Sequence, residues 1–191
     1  GETETVITTT FQTPAGASAN FLFTKKTIIR GNKKWFATIY YLQNTSASNP
    51  YNVRFFQGCD WNFNGNGAND NCSYDSANDT VFGYDNTGIP ISYGGFSAMA
   101  ASTAHQVSDY GTMWTAIRNA NLNNLNDFVG DAGTALEWNL GAFAQNEKKV
   151  MEIVWGYGNT LNGQAKQDMQ NEINYGKARM RDTGISSILS P

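Results

Sequence analysis

The chain has 191 residues, of which 40% are hydrophobic and 15% are charged, and its formal net charge is −3. This length fits one domain with an ample core, and the slight negative charge excludes a basic surface for nucleic acid. The longest nearly unbroken apolar stretch, Trp35 to Leu42, is too short to span a membrane. The sequence therefore predicts a folded domain with neither a nucleic-acid partner nor a membrane span.

β-Strand patterns dominate the first half of the chain. Runs rich in β-branched and aromatic residues cover 5–11, 20–30, 34–43, 51–57, 80–84 and 89–93. In the third run, apolar residues occupy both alternating faces, which indicates a strand that is covered on both sides. Residues 58–78 carry hardly any apolar side chain, and we interpret them as a long loop.

The second half predicts one hairpin and two helices. Apolar residues alternate over 136–140 and again over 151–157, on either side of a polar turn, which is typical of an antiparallel hairpin. Residues 112–128 indicate a short helix followed by turns, and a final helix has apolar positions at a spacing of four: Leu161, Ala165, Met169 and Ile173. The predicted fold is all-β. It is a two-sheet antiparallel, jelly-roll-like β-sandwich over 1–158, with the C-terminal amphipathic helix and tail, 159–191, packed on it.

The predicted loop contains a calcium-like pattern of oxygen-bearing side chains. Calcium prefers six to eight oxygen ligands, and alternate residues of a coiled loop can supply them. Gly65 falls at the sixth position, where an EF-hand loop turns sharply, but Asn71 stands where that loop needs a glutamate. An EF-hand is therefore excluded, and the alternative to calcium is a solvated loop of turn-forming residues. The predicted calcium ligands are Asp60, Asn62, Asn64, Asn66, Asp70 and Asp75.

Two cysteines, Cys59 and Cys72, flank the same loop. A disulfide between them would stabilise the fold by about 3 kcal/mol in the loop-entropy estimate. Disulfides are typical of exported proteins, and the first residues, GETETVITTTF, resemble either a mature N-terminus left after removal of an export signal or the start of a trimmed chain. We therefore predict a Cys59–Cys72 disulfide and an extracellular or cell-surface location, with two unpaired thiols as the alternative.

Candidate catalytic groups are few. His105 is the only histidine, and Ser102, Ser108 and Asp109 lie near it in the sequence. No Gly-x-Ser-x-Gly nucleophile elbow accompanies them, and Ser and Asp are common throughout this chain. A histidine without a catalytic role is the preferred interpretation, so no enzymatic activity is predicted, and a hydrolase with an unrecognised site is only the third hypothesis.

Aromatic side chains suggest a role in carbohydrate binding. Trp61, Tyr74 and Tyr84 could stack on sugar rings, although such residues more often fasten a long loop to its own domain. Glycosylation sequons occur at Asn44, Asn71 and Asn78. Chance alone predicts about this many in a chain so rich in Asn, Ser and Thr, and the sequons therefore carry no argument for glycosylation.

Two segments resemble a β-sandwich module of exported bacterial and archaeal surface proteins. They are NVRFFQGCDWNFNG, which starts at Asn52, and ALEWNLGAFAQNEKKVMEIVWGYG, which starts at Ala135. In such modules, a strand that ends in Asp-Trp/Tyr-Asp is paired with a late hairpin of the pattern Trp-Asn/Asp-Leu-Gly-x-Leu-Ala-x-x-Glu, and a helix follows. Here Phe143 replaces the usual Leu and Asn62 replaces the second Asp. The resemblance implies a structural subunit of a filament or surface layer.

The N-terminal residues favour assembly by strand exchange. Residues 3–12 read as a strand and lack the Lys, Pro or bulge that usually protects a sheet edge. If residues 1–12 were donated to a neighbouring subunit, Ile7 and Phe11 would enter that subunit's core. We therefore expect a structural subunit of an extracellular filament, tube or surface layer, a homo-oligomer stabilised by calcium. The alternative is a carbohydrate-binding or accessory domain of a secreted glycan-active protein, with glycans as partners.

Overall fold

A computed structural model of the chain describes residues 3–14, 20–46, 51–63, 65, 70–85, 91–161 and 163–183. Within these ranges the chain forms eleven strands and two helices. The strands are β1 (Glu4–Gln12), β2 (Phe21–Arg30), β3 (Trp35–Asn44), β4 (Tyr51–Asp60), β5 (Asp70–Asp75), β6 (Thr80–Asp85), β7 (Ser92–Ala98), β8 (Ala104–Asp109), β9 (Asp127–Val129), β10 (Ala132–Phe143) and β11 (Lys148–Gly158). The helices are α1 (Tyr110–Arg118) and α2 (Ala165–Thr183).

The strands form two antiparallel sheets of unequal size. The large sheet has the order β1-β2-β3-β11-β7-β6-β5-β9, and the small sheet has the order β4-β10-β8. Every strand pairing is antiparallel. The predicted hairpin over 136–140 and 151–157 is wrong as a strand pair: β10 lies in the small sheet between β4 and β8, and β11 lies in the large sheet between β3 and β7. The predicted two-sheet antiparallel β-sandwich is confirmed.

The main core lies between the sheets. Successive strand residues point to opposite faces, so each large-sheet strand sends one set of side chains to the inner face, towards the small sheet, and the other set to the outer face. On the inner face, Leu42, Phe96 and Ile153 meet Leu136 and Phe143 of the small sheet, and each of the five is at most 1% exposed. Burial of each such side chain contributes roughly 1.5–3 kcal/mol of transfer free energy.

Helix α2 covers part of the outer face. Ala165, Met169 and Ile173 are buried, as their spacing of four predicts, whereas Leu161 lies before the helix and is 77% exposed. The helix lies close to β11 because Gly158 has no side chain: a Cβ atom there would be 2.0 Å from the Ala165 carbonyl oxygen. The C-terminal helix therefore packs on the sandwich, and the assignment of Leu161 to it is wrong. The predicted tail after residue 183 lies outside the described residues.

Helix α1 covers the small sheet. Asp109 caps its N-terminus, since its carboxylate accepts a hydrogen bond of 3.0 Å from the backbone N–H of Thr112. Met113 and Ala116 are buried against Ala135 of β10. The predicted short mid-chain helix is therefore present, and it starts two residues before the predicted region.

The structure corrects the loop that we predicted over residues 58–78. β4 continues to Asp60, and β5 occupies 70–75 between β6 and β9. β5 escaped notice because its outward residues are polar, while its inward residues, Cys72 and Tyr74, are too few to mark a strand. β8 and β9 were missed for the same reason, since short strands give weak patterns.

The structure also corrects the predicted strand exchange. β1 pairs with β2 of its own chain over nine residues, from Glu4 opposite Arg30 to Gln12 opposite Leu22. Ile7 and Phe11 stand opposite Thr27 and Phe23 and are 51% and 54% exposed.

None of the described helices is long and apolar enough to cross a membrane.

Candidate functional site

The predicted calcium ligands are not all brought together. Asp60 ends β4 and Asp70 begins β5, but Asp75 is at the opposite end of β5, about 17 Å away along the strand. Asp75 instead accepts hydrogen bonds from Ala77 N–H and from the Asn78 amide, at 3.0 and 3.1 Å. Among the described residues, no group of three or more His, Cys, Asp or Glu is placed to hold a metal ion.

Calcium binding stays a prediction from the sequence, because only some of the remaining predicted ligands lie within the described residues. Asn62 is exposed, and Asn64 and Asn66 lie outside the described residues. The two aspartates that do approach each other, Asp60 and Asp70, lie close enough for the charge of Asp60 to raise the pKa of Asp70.

Asp70 is buried at one end of the sandwich. It is 0% exposed, and its cross-strand partner Asp85 is 1% exposed. Both carboxylate oxygens of Asp70 face the backbone N–H of Phe63, at 3.2 and 3.3 Å. Burial, together with the negative charges of Asp85, Asp131 and Asp60, raises the pKa of Asp70 to about 6, although the bond from Phe63 opposes this shift.

The two cysteines are free thiols in the structure, in place of the predicted disulfide. Cys59 lies on β4 of the small sheet and Cys72 on β5 of the large sheet, and both belong to the core between the sheets. Burial raises the pKa of the Cys59 thiol to about 12 and raises that of Cys72 as well. The pair contributes to the fold as small apolar side chains.

The three aromatic residues predicted as a sugar platform do not share one surface. The Trp61 indole lies over Gly83 of β6 on the inner face, stacks on Phe63 at 5.6 Å, and donates its Nε1–H to Thr134 Oγ1 at 2.9 Å. Tyr84 is the residue after Gly83, so it points to the outer face. Tyr74 is stacked on His105, with ring centroids 3.6 Å apart.

The candidate catalytic residues also serve the fold. The imidazole Nε2 of His105 is 2.7 Å from Asn126 Oδ1, Ser102 donates to Asp79 at 2.6 Å, and Asp109 caps α1. Of the sequon asparagines, Asn44 is 0% exposed and donates to the Phe143 carbonyl. Asn71 is also buried and Asn78 is half-buried. Among the candidate catalytic residues His105, Ser102, Ser108 and Asp109, no serine hydroxyl is hydrogen-bonded to the histidine.

A polar cleft of about 400 Å³ lies between α2 and the turn that joins β5 to β6. Its helix side chains recur at spacings of three and four, so they form one stripe along α2, next to the stripe that is buried against the sheet. The lining residues are Asp75 and Asn78 from the turn, and Gly163, Lys166, Gln167, Gln170 and Asn174 from the helix or just before it.

The cleft carries unused hydrogen-bonding capacity. The Gln170 amide donates to Asn174 Oδ1 at 3.2 Å, and the Gln167 amide donates to Asn171 Oδ1 at 2.9 Å. Within the described ranges, the side-chain carbonyl oxygens of Gln167 and Gln170 and the side-chain N–H groups of Asn174 have no hydrogen-bond partner. Each side-chain amide offers both donors and acceptors, which is the combination that hydroxyl groups require.

The charges that line the cleft balance. Asp75 supplies one carboxylate and Lys166 one ammonium group, and these two groups form no ion pair with each other. The Lys166 ammonium lies 4.6 Å from the centre of the Phe82 ring. Phe82 also contacts Tyr84, and Tyr84 stacks on Tyr93 at 4.8 Å, so these three rings form a row on the outer face that leads away from Lys166.

The sequence predicted no site at this cleft. The sequence pattern that could have indicated the cleft is the recurrence of Lys166, Gln170 and Asn174 at intervals of four, each one residue after an apolar position of the same helix. That stripe resembled an ordinary solvated helix face, because the turn that forms the opposite wall was assigned to a loop.

Comparison with solved structures finds a similar fold in parts of two larger proteins. No known protein-family profile matches the chain. A protein assigned as a kojibiose phosphorylase from the human microbiome has a similar structure, with a TM-score of 0.64 and 10% identity over 91% of this chain and 21% of that one. A bacterial glucoamylase, solved with acarbose, has a TM-score of 0.55 and 10% identity over 95% of this chain and 28% of that one. The chain thus spans about a fifth and about a quarter of these proteins.

Proposed function

We propose that the protein is a non-catalytic carbohydrate-binding or accessory domain, and that the cleft between α2 and the β5–β6 turn binds a neutral saccharide. The observation that carries this proposal is the set of side-chain amides, from Asn78, Gln167, Gln170 and Asn174, which face one cavity and retain free donors and acceptors. Hydroxyl groups both donate and accept, so a polyhydroxy ligand can use both.

The electrostatics of the cleft favour an uncharged ligand. One carboxylate, Asp75, and one ammonium group, Lys166, leave no net charge to attract an anion or a cation. A volume of about 400 Å³ is within the range of small-ligand sites.

The similarity in fold supports the same proposal. One structural neighbour is named as a kojibiose phosphorylase and the other as a glucoamylase complexed with acarbose, and this chain corresponds to a minor part of each. An accessory role beside a catalytic unit is consistent with that partial coverage. The extracellular or cell-surface location expected from the sequence would suit a glycan ligand.

Calorimetric titration of the intact chain with kojibiose, maltose and acarbose tests the proposal. The double variant Gln167→Ala/Asn174→Ala removes two exposed amides, each of which takes part in one side-chain hydrogen bond within α2. A neutral hydrogen bond contributes about 0.5–1.5 kcal/mol, so we expect affinity to fall by about tenfold or more. Asn123→Ala, an exposed asparagine that lies outside the cleft, is the matched control and should bind as the unmodified chain does.

Circular dichroism of both variants separates lost binding from lost structure. Binding that the double variant leaves unchanged would move the site away from this cleft. The absence of binding to every neutral saccharide tested, with the fold intact, would reject the proposed function.

A further inference from the structure

The long strand β1 forms one edge of the large sheet. All nine of its residues are exposed, and no described strand lies beyond it. Its pairing with β2 runs through nine residue pairs without a register shift, so the edge is regular. A regular exposed edge presents a row of backbone N–H and C=O groups that can accept another strand.

The register identifies which backbone groups of β1 point outwards. Gly31 donates to the Thr3 carbonyl and Thr13 donates to the Phe21 carbonyl, so residues 3 and 13 are in hydrogen-bonded pairs with the β2 side. Hydrogen-bonded pairs alternate along an antiparallel ladder, and the odd residues of β1 therefore face β2. The even residues present their N–H and C=O groups to the free edge: Glu4, Val6, Thr8, Thr10 and Gln12.

β1 lacks the features that normally protect an edge. It contains no Lys, Pro, Gly or bulge, and its one charged residue, Glu4, is at the end of the strand and is paired with Arg30 at 2.7 Å. Its apolar side chains Val6, Ile7 and Phe11 are 41%, 51% and 54% exposed. Sheet edges that must stay single usually carry a charge, a proline or a bulge. The edge is therefore suited to pairing with a strand.

We propose that two copies of the chain pair through β1, antiparallel, about a two-fold axis that is perpendicular to the sheet and passes beside Thr8. This arrangement uses the outward groups of all five even residues. It gives about ten inter-chain hydrogen bonds, two at each hydrogen-bonded pair. The two large sheets become one continuous sheet, and their inner faces lie on the same side.

The side chains of β1 complement themselves in this register. Glu4 of one copy lies opposite Gln12 of the other, so no like charges meet. Ile7 lies opposite Thr9, and Phe11 lies opposite Thr5, in the closer, non-hydrogen-bonded pairs. The two Ile7 side chains are diagonal neighbours across the axis, and each is also diagonal to a Phe11. Four exposed apolar side chains therefore collect on the inner face.

The two-fold pairing ends at the dimer. Each copy uses its β1 edge once, on the same axis, so the contact is isologous and no unpaired β1 remains to add a third copy. The sequence predicted a filament built by donated strands, and the same strand here predicts a closed dimer instead. This inference does not depend on any ligand of the cleft.

Sedimentation equilibrium across a concentration series tests the pairing with Thr8→Pro. Proline removes the outward N–H at the centre of the interface, and it spares the β1–β2 ladder because Thr8 makes no hydrogen bond to β2. We expect the unmodified chain to dimerise and Thr8→Pro to raise the dimer dissociation constant by at least about tenfold. Thr8→Val keeps the N–H and the β-branched shape, so it should dimerise as the unmodified chain does.

Three results would overturn the proposal. They are a monomer at every concentration for the unmodified chain, an unchanged dimer for Thr8→Pro, and open-ended growth beyond the dimer. Matching circular dichroism spectra and thermal midpoints for the two Thr8 variants would show that the substitution acts at the edge and not on the fold.

Discussion

The Trp61 indole lies directly on the backbone of Gly83. A Cβ atom on Gly83 would be 2.5 Å from Trp61 Cγ and 2.8 Å from Trp61 Cδ1, closer than non-bonded carbons can approach. Gly94, on the neighbouring strand β7, would meet the far side of the same indole at 2.7 Å. The two glycines therefore leave a flat backbone surface on which the Trp61 indole packs, and this contact holds the segment after β4 against the inner face.

Gly83→Ala should unfold more easily than the unmodified chain. The indole cannot move freely, since its Nε1–H is bonded to Thr134 and its ring is stacked on Phe63. The added methyl group must displace it, and overpacking of this kind costs about 1–3 kcal/mol. Urea unfolding followed by tryptophan fluorescence measures the free energy change.

Gly31→Ala is the matched control for this prediction. A Cβ atom on Gly31 would lie 3.8 Å from its nearest neighbour, which is an ordinary contact. Its effect should be within about 1 kcal/mol. If Gly31→Ala lowered the free energy of unfolding as much as Gly83→Ala does, the contact between Gly83 and the Trp61 indole would not be the cause.

The sequence predicted the elements whose side chains alternate strongly. Met151, Ile153 and Trp155 alternate with partly exposed or smaller residues and mark β11, while Met169 and Ile173 mark α2. The periodic face of α2 is buried against the sheet, whereas β11 is covered on both faces, with Ile153 in the core between the sheets and Val154 under α2. Architecture at this level follows from local patterns.

The candidate cleft could not be predicted in the same way. Its two walls, Asp75 with Asn78 and Gln170 with Asn174, are about a hundred residues apart in the chain. They meet only because β5 and β6 are neighbours in the sheet that α2 crosses. Polar residues have no period that marks such a meeting, and β5 itself was concealed within a segment interpreted as a loop.

Both cysteines should be found as thiols. Cys72 is 1% exposed and Cys59 is half-buried, and burial raises the pKa of each, which suppresses the reactive thiolate. In the native chain, alkylation should be slow at both sites. In denaturant without reductant, intact mass should increase by two alkyl groups. A mass that increases only after reduction would restore the disulfide that the sequence predicted.

Stability should decrease as pH rises through about 6, because of Asp70. Its pKa in the folded chain is raised from 3.8 to about 6, so the folded state holds this proton more tightly than the unfolded state does. The resulting stabilisation is fully present below pH 3.8 and is lost as pH passes about 6. Asp70→Asn keeps an oxygen to accept from Phe63 N–H but carries no charge.

Asp70→Asn should therefore be more stable than the unmodified chain at pH 7, by on the order of 1–3 kcal/mol, and about equal to it near pH 4. Urea unfolding in excess EDTA between these pH values measures the difference, with the exposed Asp127→Asn as the control for loss of a surface charge. Repetition in calcium chloride tests the predicted ion. A calcium ion held by Asp60 and Asp70 would stabilise only the folded, ionised form, so calcium would reverse the sign and make Asp70→Asn the weaker variant at pH 7. An Asp70→Asn variant that is less stable at pH 7 even in EDTA would show that the Asp70 charge is compensated in the folded chain.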